Sequence, residues 1–118
     1  MKIVLVWASN NIEKYWNKIL KDLIGKWYTV IPVNPKEKEI EGIKVYKNLG
    51  FIKDFDVVNF VVKPEITLQI LTKYLDILKN KKIWCQPWAS DEKVEKFLKE
   101  NNFSDYITES CIMIEKIN

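Results

Sequence analysis

Hydrophobic and polar positions along this chain follow two rhythms. Ile3–Val6, Tyr28–Val33 and Asp56–Val62 are short, mostly apolar runs rich in β-branched residues, the pattern of strands buried on both faces. Lys82–Gln86 and the short pair Tyr106–Ile107 extend the series to five predicted strands. Between the first two runs the period changes: Ile12, Tyr15, Trp16, Ile19, Leu20, Leu23 and Ile24 recur as one face of a helix. Asn10, with Glu13 three residues on, gives that helix a capping-box start. Pro64-Glu65 opens a second helix that runs to about Leu78, proline being allowed in a first turn. Ser90 caps a third, from Asp91 to about Glu100. Lys36–Glu41 is a charged connection, Gly42–Tyr46 a short extended piece, and Ser110 onward a terminal turn or tail.

Strands that alternate with helices require right-handed crossovers, which predicts an α/β domain of three layers around a mostly parallel five-stranded sheet. Such sheets bind ligands beyond the carboxyl ends of their strands, where the strand order reverses. The segments expected at that edge are Trp7–Asn11, Asn34–Lys38, Lys63–Glu65 and Gln86–Ser90.

A length of 118 residues suits one domain spanning 1–118. No apolar run is long enough to cross a membrane and the N-terminus lacks a signal-peptide pattern, so a cytoplasmic location is expected. The net charge is +3, but the lysines are interleaved with acids; that pattern speaks for solubility and against nucleic acid or a membrane as partner. Cys85 and Cys111 are too few for a disulfide framework and wrongly spaced for a metal site. The chain has no histidine, which excludes histidine-based triads, ligands and phosphate relays. It also has no arginine, all nineteen basic residues being lysine, so any phosphate must be held by lysine, hydroxyls or backbone N–H groups.

Ala8, Ser9, Asn10 and Asn11 are small or polar and lead into a helix N-terminus, with Lys14 one turn in. That combination is an anion site, or equally a plain helix cap. At the end of the second strand an NAD site places a carboxylate on the ribose hydroxyls. Here the residues are Val33, Asn34 and Pro35, followed by Lys36 and Lys38. This disfavours NAD and favours a ribose that carries a phosphate, as in NADP or coenzyme A, although each lysine taken singly reads as a solvated loop residue. Lys63-Pro64 fixes the backbone beside the crevice, or simply starts a helix.

Several motifs in order carry a resemblance. Trp7–Trp16 is similar to a GAS-x-x-P-x-K-x-G loop; Pro32–Pro35 reads PVNP; Glu39–Tyr46 reads E-I-x-G-x-K-x-Y. Asp56–Val58 with Pro64-Glu65, Trp84–Ala89 and Cys111–Glu115 complete the set. The chain resembles the small single-domain CoA-binding proteins, whose Rossmann-like fold is similar to the CoA-binding domain of the succinyl-CoA synthetase alpha subunit. The resemblance implies bound coenzyme A, with the pyrophosphate at Ala8–Asn11, the adenosine end near Val33–Pro35 and further contacts at Val62, Lys63 and Pro64.

Trp7, Trp16, Trp27 and Trp88 stand where that family has glycine, and Ile12 where it has proline. Physical reasoning points the same way. Trp7 is in the turn where a backbone must approach phosphate. Trp16 is on a helix that packs closely on the sheet, and Trp27 is just past a helix end. Trp88 follows Pro87, where a type II turn needs positive φ. The composition is rich in Lys, Ile and Asn, as AT-rich codons give, and only three glycines are written. These four residues are therefore read as UGA codons meaning glycine in the source organism, which would leave indoles plugging a CoA crevice in the written sequence; the alternative is a truly Trp-rich, divergent member whose phosphate loop is blocked.

The expected function is a non-catalytic module that binds CoA or acyl-CoA, as a homodimer or docked to a partner enzyme. Two alternatives stay open: a thiol-redox protein in which CoA forms a mixed disulfide with Cys111, and an NADP-binding module.

Overall fold

A computed structural model describes residues 1–7 and 15–114. The predicted Asn10–Glu13 capping box, the loop residues Ala8–Lys14 and Glu115 lie outside them. Strand β1 is Lys2–Trp7 and is followed by helix α1, Tyr15–Gly25, and β2, Thr29–Val33. A hairpin of β3, Glu39–Ile40, and β4, Ile43–Lys44, comes next. Then come β5, Val57–Val61, α2, Pro64–Lys73, α3, Leu75–Leu78, and β6, Lys82–Cys85. Helix α4, Glu92–Glu100, and β7, Tyr106–Ile107, complete the order.

The five main strands form one sheet in the order β2-β1-β5-β6-β7, and every pairing is parallel rather than most of them. The chain moves outward from β1 to β2, then returns to β5 on the other flank of β1, so strand order reverses between β1 and β5. Alternation along β1 sorts the core into two layers. Ile3, Leu5 and Trp7 join Trp16, Ile19, Leu20 and Leu23 of α1, with Ile112 of the C-terminal segment. Val4 and Val6 join Leu71, Leu78, Val94 and Leu98 of α2, α3 and α4 on the opposite face.

Four local expectations are corrected. Trp7 is not in the turn but still in β1, because it pairs with Val61 on the neighbouring strand. The helix expected to reach Leu78 is interrupted at Tyr74 (φ −110°, ψ 29°), where no proline or glycine marks the break. Asp91, not Ser90, caps α4: its carboxylate accepts from Val94 N, while the Ser90 hydroxyl is buried without a partner. Trp88 lies in a 3₁₀ turn, Pro87–Ala89, and is not among the positive-φ residues, so no type II turn forms there.

Helices α1 and α4 end alike. After α1, Trp27 N bonds Ile24 O and Tyr28 N bonds Leu23 O; after α4, Asn102 N bonds Lys99 O and Phe103 N bonds Leu98 O. These are paired Schellman motifs, which need a left-handed residue just past the helix. Asn102 (φ 61°) tolerates that conformation, whereas Trp27 (φ 70°) holds it with a Cβ and an indole that is 93% exposed.

Candidate functional site

The carboxyl ends of β1 and β2 and the segment after β5 converge on a cavity of about 340 Å³. Val6, Trp7, Val33, Pro35 and Val62 form its sheet side. Helix α2 forms the opposite wall through Ile66, Gln69, Ile70 and Lys73, with Tyr74 at its end. Lys47, Asn48 and Leu49 close it from the segment after the hairpin. A volume near the lower end of the usual ~300–1,000 Å³ range takes one end of an elongated ligand rather than all of it. Among the described residues the lining carries two cations, Lys47 and Lys73, and no carboxylate.

Four of the residues singled out from sequence meet here: Trp7, Val33, Pro35 and Val62. Asn34 lies just behind them and is 3% exposed. Its Nδ2 donates to Trp7 O at 3.0 Å, and its Oδ1 accepts from Lys36 N and Glu37 N. The side chain therefore ties the ends of β1 and β2 together and sets the path of the following loop. Lys63 is the exposed N-cap of α2, outside the cavity wall. Pro64 faces an adjoining groove between α2 and the start of α4, whose charge is mixed, Glu65 and Asp91 standing with Lys73 and Lys93. Ala8, Ser9, Asn10, Asn11 and Lys14 lie outside the described residues.

Sequence reasoning missed the α2 wall and Lys47–Leu49. The signal for the first was present: Ile66, Gln69, Ile70, Lys73 and Tyr74 share helical spacing, and two polar residues sit within that otherwise apolar stripe. Lys47–Leu49 has no periodic signature. Asn48 caps the 3₁₀ turn Leu49–Phe51 by accepting from Gly50 N, and buried Leu49 anchors that turn in the core.

Two tryptophan rings pack beneath this edge. Trp7 and Trp16 stack with centroids 4.8 Å apart, between β1 and α1. Trp16 is buried and its Nε1 has no hydrogen-bond partner among the described residues. Trp88 meets Tyr15 edge-to-face at 4.7 Å.

A polar cluster occupies the α1 side of the sheet. Gln86 is fully buried; its Oε1 accepts from Ile112 N and Asn59 Nδ2, which turns its Nε2 toward Cys111 Sγ at 3.0 Å. Tyr15 Oη is 3.5 Å from the same sulfur, and this contact, with burial, raises the phenol above its ordinary pKa. Trp84 Nε1 donates to Ser110 O and so holds the start of the C-terminal segment. The other thiol, Cys85, is pushed up to about 12 by burial, with the Glu95 carboxylate adding to the effect.

The CoA binding domain family model matches residues 1–117. A conserved hypothetical protein of Pyrococcus furiosus is 44% identical, with 98% of both chains covered and a TM-score of 0.87. A hypothetical protein of Pyrococcus horikoshii is 32% identical over 94% of this chain and 78% of its own, with a TM-score of 0.79. The dinucleotide-forming acetyl-coenzyme A synthetase 1 of Ca. Korarchaeum cryptofilum shares the fold: 24% identity over 85% of this chain and 22% of that one, with a TM-score of 0.64. No curated protein matches the chain. By the family match along nearly its whole length and its likeness to the Pyrococcus proteins, the chain belongs to the CoA binding domain family.

Proposed function

We propose that the protein is a non-catalytic cytoplasmic module that binds coenzyme A or an acyl-CoA, with the adenosine end in the cavity at the β1/β5 reversal. One observation carries this reading: a cavity at that edge with branched and aromatic walls, two amides and, among the described residues, only lysine for charge. This donor set fits the adenosine end, with Tyr74 offering a face to a base and Asn48 and Gln69 amides to its edge. When bound, coenzyme A would present a thiol or thioester. Asn34 supports the reading by holding the loop that borders the cavity. The coenzyme's diphosphate is assigned to Ala8–Asn11 with Lys14, and Lys63 and Pro64 to its outer contacts.

Residues 7, 16, 27 and 88 are glycine in the natural protein on this reading. The left-handed Trp27 and the orphaned Trp16 Nε1 support it; Trp88 gives no backbone argument. Calorimetric titration of CoA into the chain as written and into a version with glycine at those positions is the test. Tight binding is expected for the glycine version alone. If neither form binds CoA, or NADPH binds more tightly, the reading fails. Intact mass of the natively made protein decides the recoding separately: a mass that accounts for tryptophan at all four positions refutes it.

A second reading has its own observation. The Cys111 sulfur accepts from a locked Gln86 amide, an arrangement that suits a thiol partner for CoA. A CoA adduct on Cys111 after treatment with CoA disulfide, absent in Cys111→Ser, would favour it.

A further inference from the structure

The coenzyme reading leaves open which part of the ligand the two cavity lysines meet. We propose that Lys47 and Lys73 recognise a phosphate monoester on the ribose, so that the site selects 3′-phosphorylated adenosine (coenzyme A) over the same molecule with a free 3′-hydroxyl (dephospho-CoA). This inference rests on the coenzyme reading and adds a specificity to it.

The loop assigned to the diphosphate leads into α1, and α1 covers one face of the sheet. The cavity opens on the other face, between the sheet edge and α2, where Val6, Val62 and Leu71 pack. A nucleotide lying across the edge therefore has its diphosphate on the α1 side and its base and ribose on the α2 side. Cations on the α2 side then answer to a second, separate phosphate.

Lys47 and Lys73 approach from different elements: one from the segment after the hairpin, the other from the last turn of α2. Leu49, Ile70 and Tyr74 line the space with them. Among the described residues neither lysine is in an ion pair and no carboxylate lines the cavity. The Lys73 ammonium lies 5.4 Å from the Tyr74 ring centroid, at the cavity wall. Both lysines are exposed, so they stay solvated when the site is empty; a dianionic 3′-phosphate would attract both, whereas a free 3′-hydroxyl offers them no charge. Lys36 and Lys38, which the sequence offered for this task, do not line the cavity.

The test is calorimetric titration of CoA, dephospho-CoA and adenosine 3′,5′-bisphosphate into the glycine form of the full chain. The Lys47→Met, Lys73→Met and doubly substituted forms are titrated alongside, their folding checked by thermal denaturation. CoA should bind at least about 10-fold more tightly than dephospho-CoA, which is about 1.4 kcal/mol. Adenosine 3′,5′-bisphosphate should compete with CoA. Each single substitution should lower the preference, and the double substitution should bring it close to one, CoA losing more affinity than dephospho-CoA. Equal affinity for the two coenzymes in the unsubstituted chain, or a preference unmoved by the double substitution, overturns the inference and leaves the coenzyme reading standing. Failure of all three ligands to bind overturns both.

Discussion

Replacing Trp27 with glycine should stabilise the protein. The residue sits just past α1 at φ 70°, in a Schellman motif made by Trp27 N to Ile24 O and Tyr28 N to Leu23 O. An L-residue in this left-handed conformation is strained by roughly 1–2 kcal/mol, because its Cβ crowds the backbone. The indole offsets little of that: it is 93% exposed, so its removal forfeits almost no buried surface. Glycine relieves the strain but enlarges the freedom of the unfolded chain, at a cost of about 0.4–1 kcal/mol. The net gain is about 0.5–1 kcal/mol, or a rise of roughly 2–4 °C in midpoint for a domain of this size. Trp27→Ala is the control, since it also deletes the indole but keeps the Cβ, and it should change stability by only a few tenths of a kcal/mol. Trp27→Asn should fall between the two, as Asn102 does the same task after α4. Urea denaturation followed by circular dichroism measures all three. A glycine variant no more stable than the alanine variant would refute the argument that the backbone, not the side chain, strains this position.

Other outcomes follow from the buried polar contacts and the thiols. Asn34→Ala removes the partners of Trp7 O, Lys36 N and Glu37 N, and should lower stability by about 1–3 kcal/mol in urea denaturation and weaken CoA binding. Gln86→Leu strands Ile112 N and removes one of the two acceptors of Asn59 Nδ2, Trp84 O remaining; hydrogen exchange should show protection lost in the segment around Ile112, beyond any global destabilisation. Cys85 has its folded pKa raised from 9.0 to about 12, so its neutral form is favoured by folding. The stability it contributes is complete below pH ~9 and is lost as pH rises toward ~12, with a slope approaching ~1.4 kcal/mol per pH unit that Cys85→Ala should remove. Under native conditions at pH 8 an alkylating reagent should label partly exposed Cys111 and spare Cys85, as intact mass after tryptic digestion would show.

The apolar runs and the helical stripes carry local information, and they sufficed for the α/β architecture and for the edge at which a ligand belongs. Ile3–Val6 could only be a doubly buried strand, and Leu20 and Leu23 could only face a core, because burial of apolar surface dominates such segments. The special backbone position at Trp27 was legible for the same reason: a helix end is a local event. The sequence could not show which polar residues meet. Lys47 and Lys73 are 26 positions apart and share a cavity only because β1 lies between β2 and β5, which brings α2 beside the segment after the hairpin. Pairing across strands also extended β1 to Trp7, and burial rather than pattern turned the Gln86 amide toward Cys111. Local rhythm determined the elements; contacts between distant elements decided the cavity and its charges, because those depend on strand order, which no short window of sequence contains.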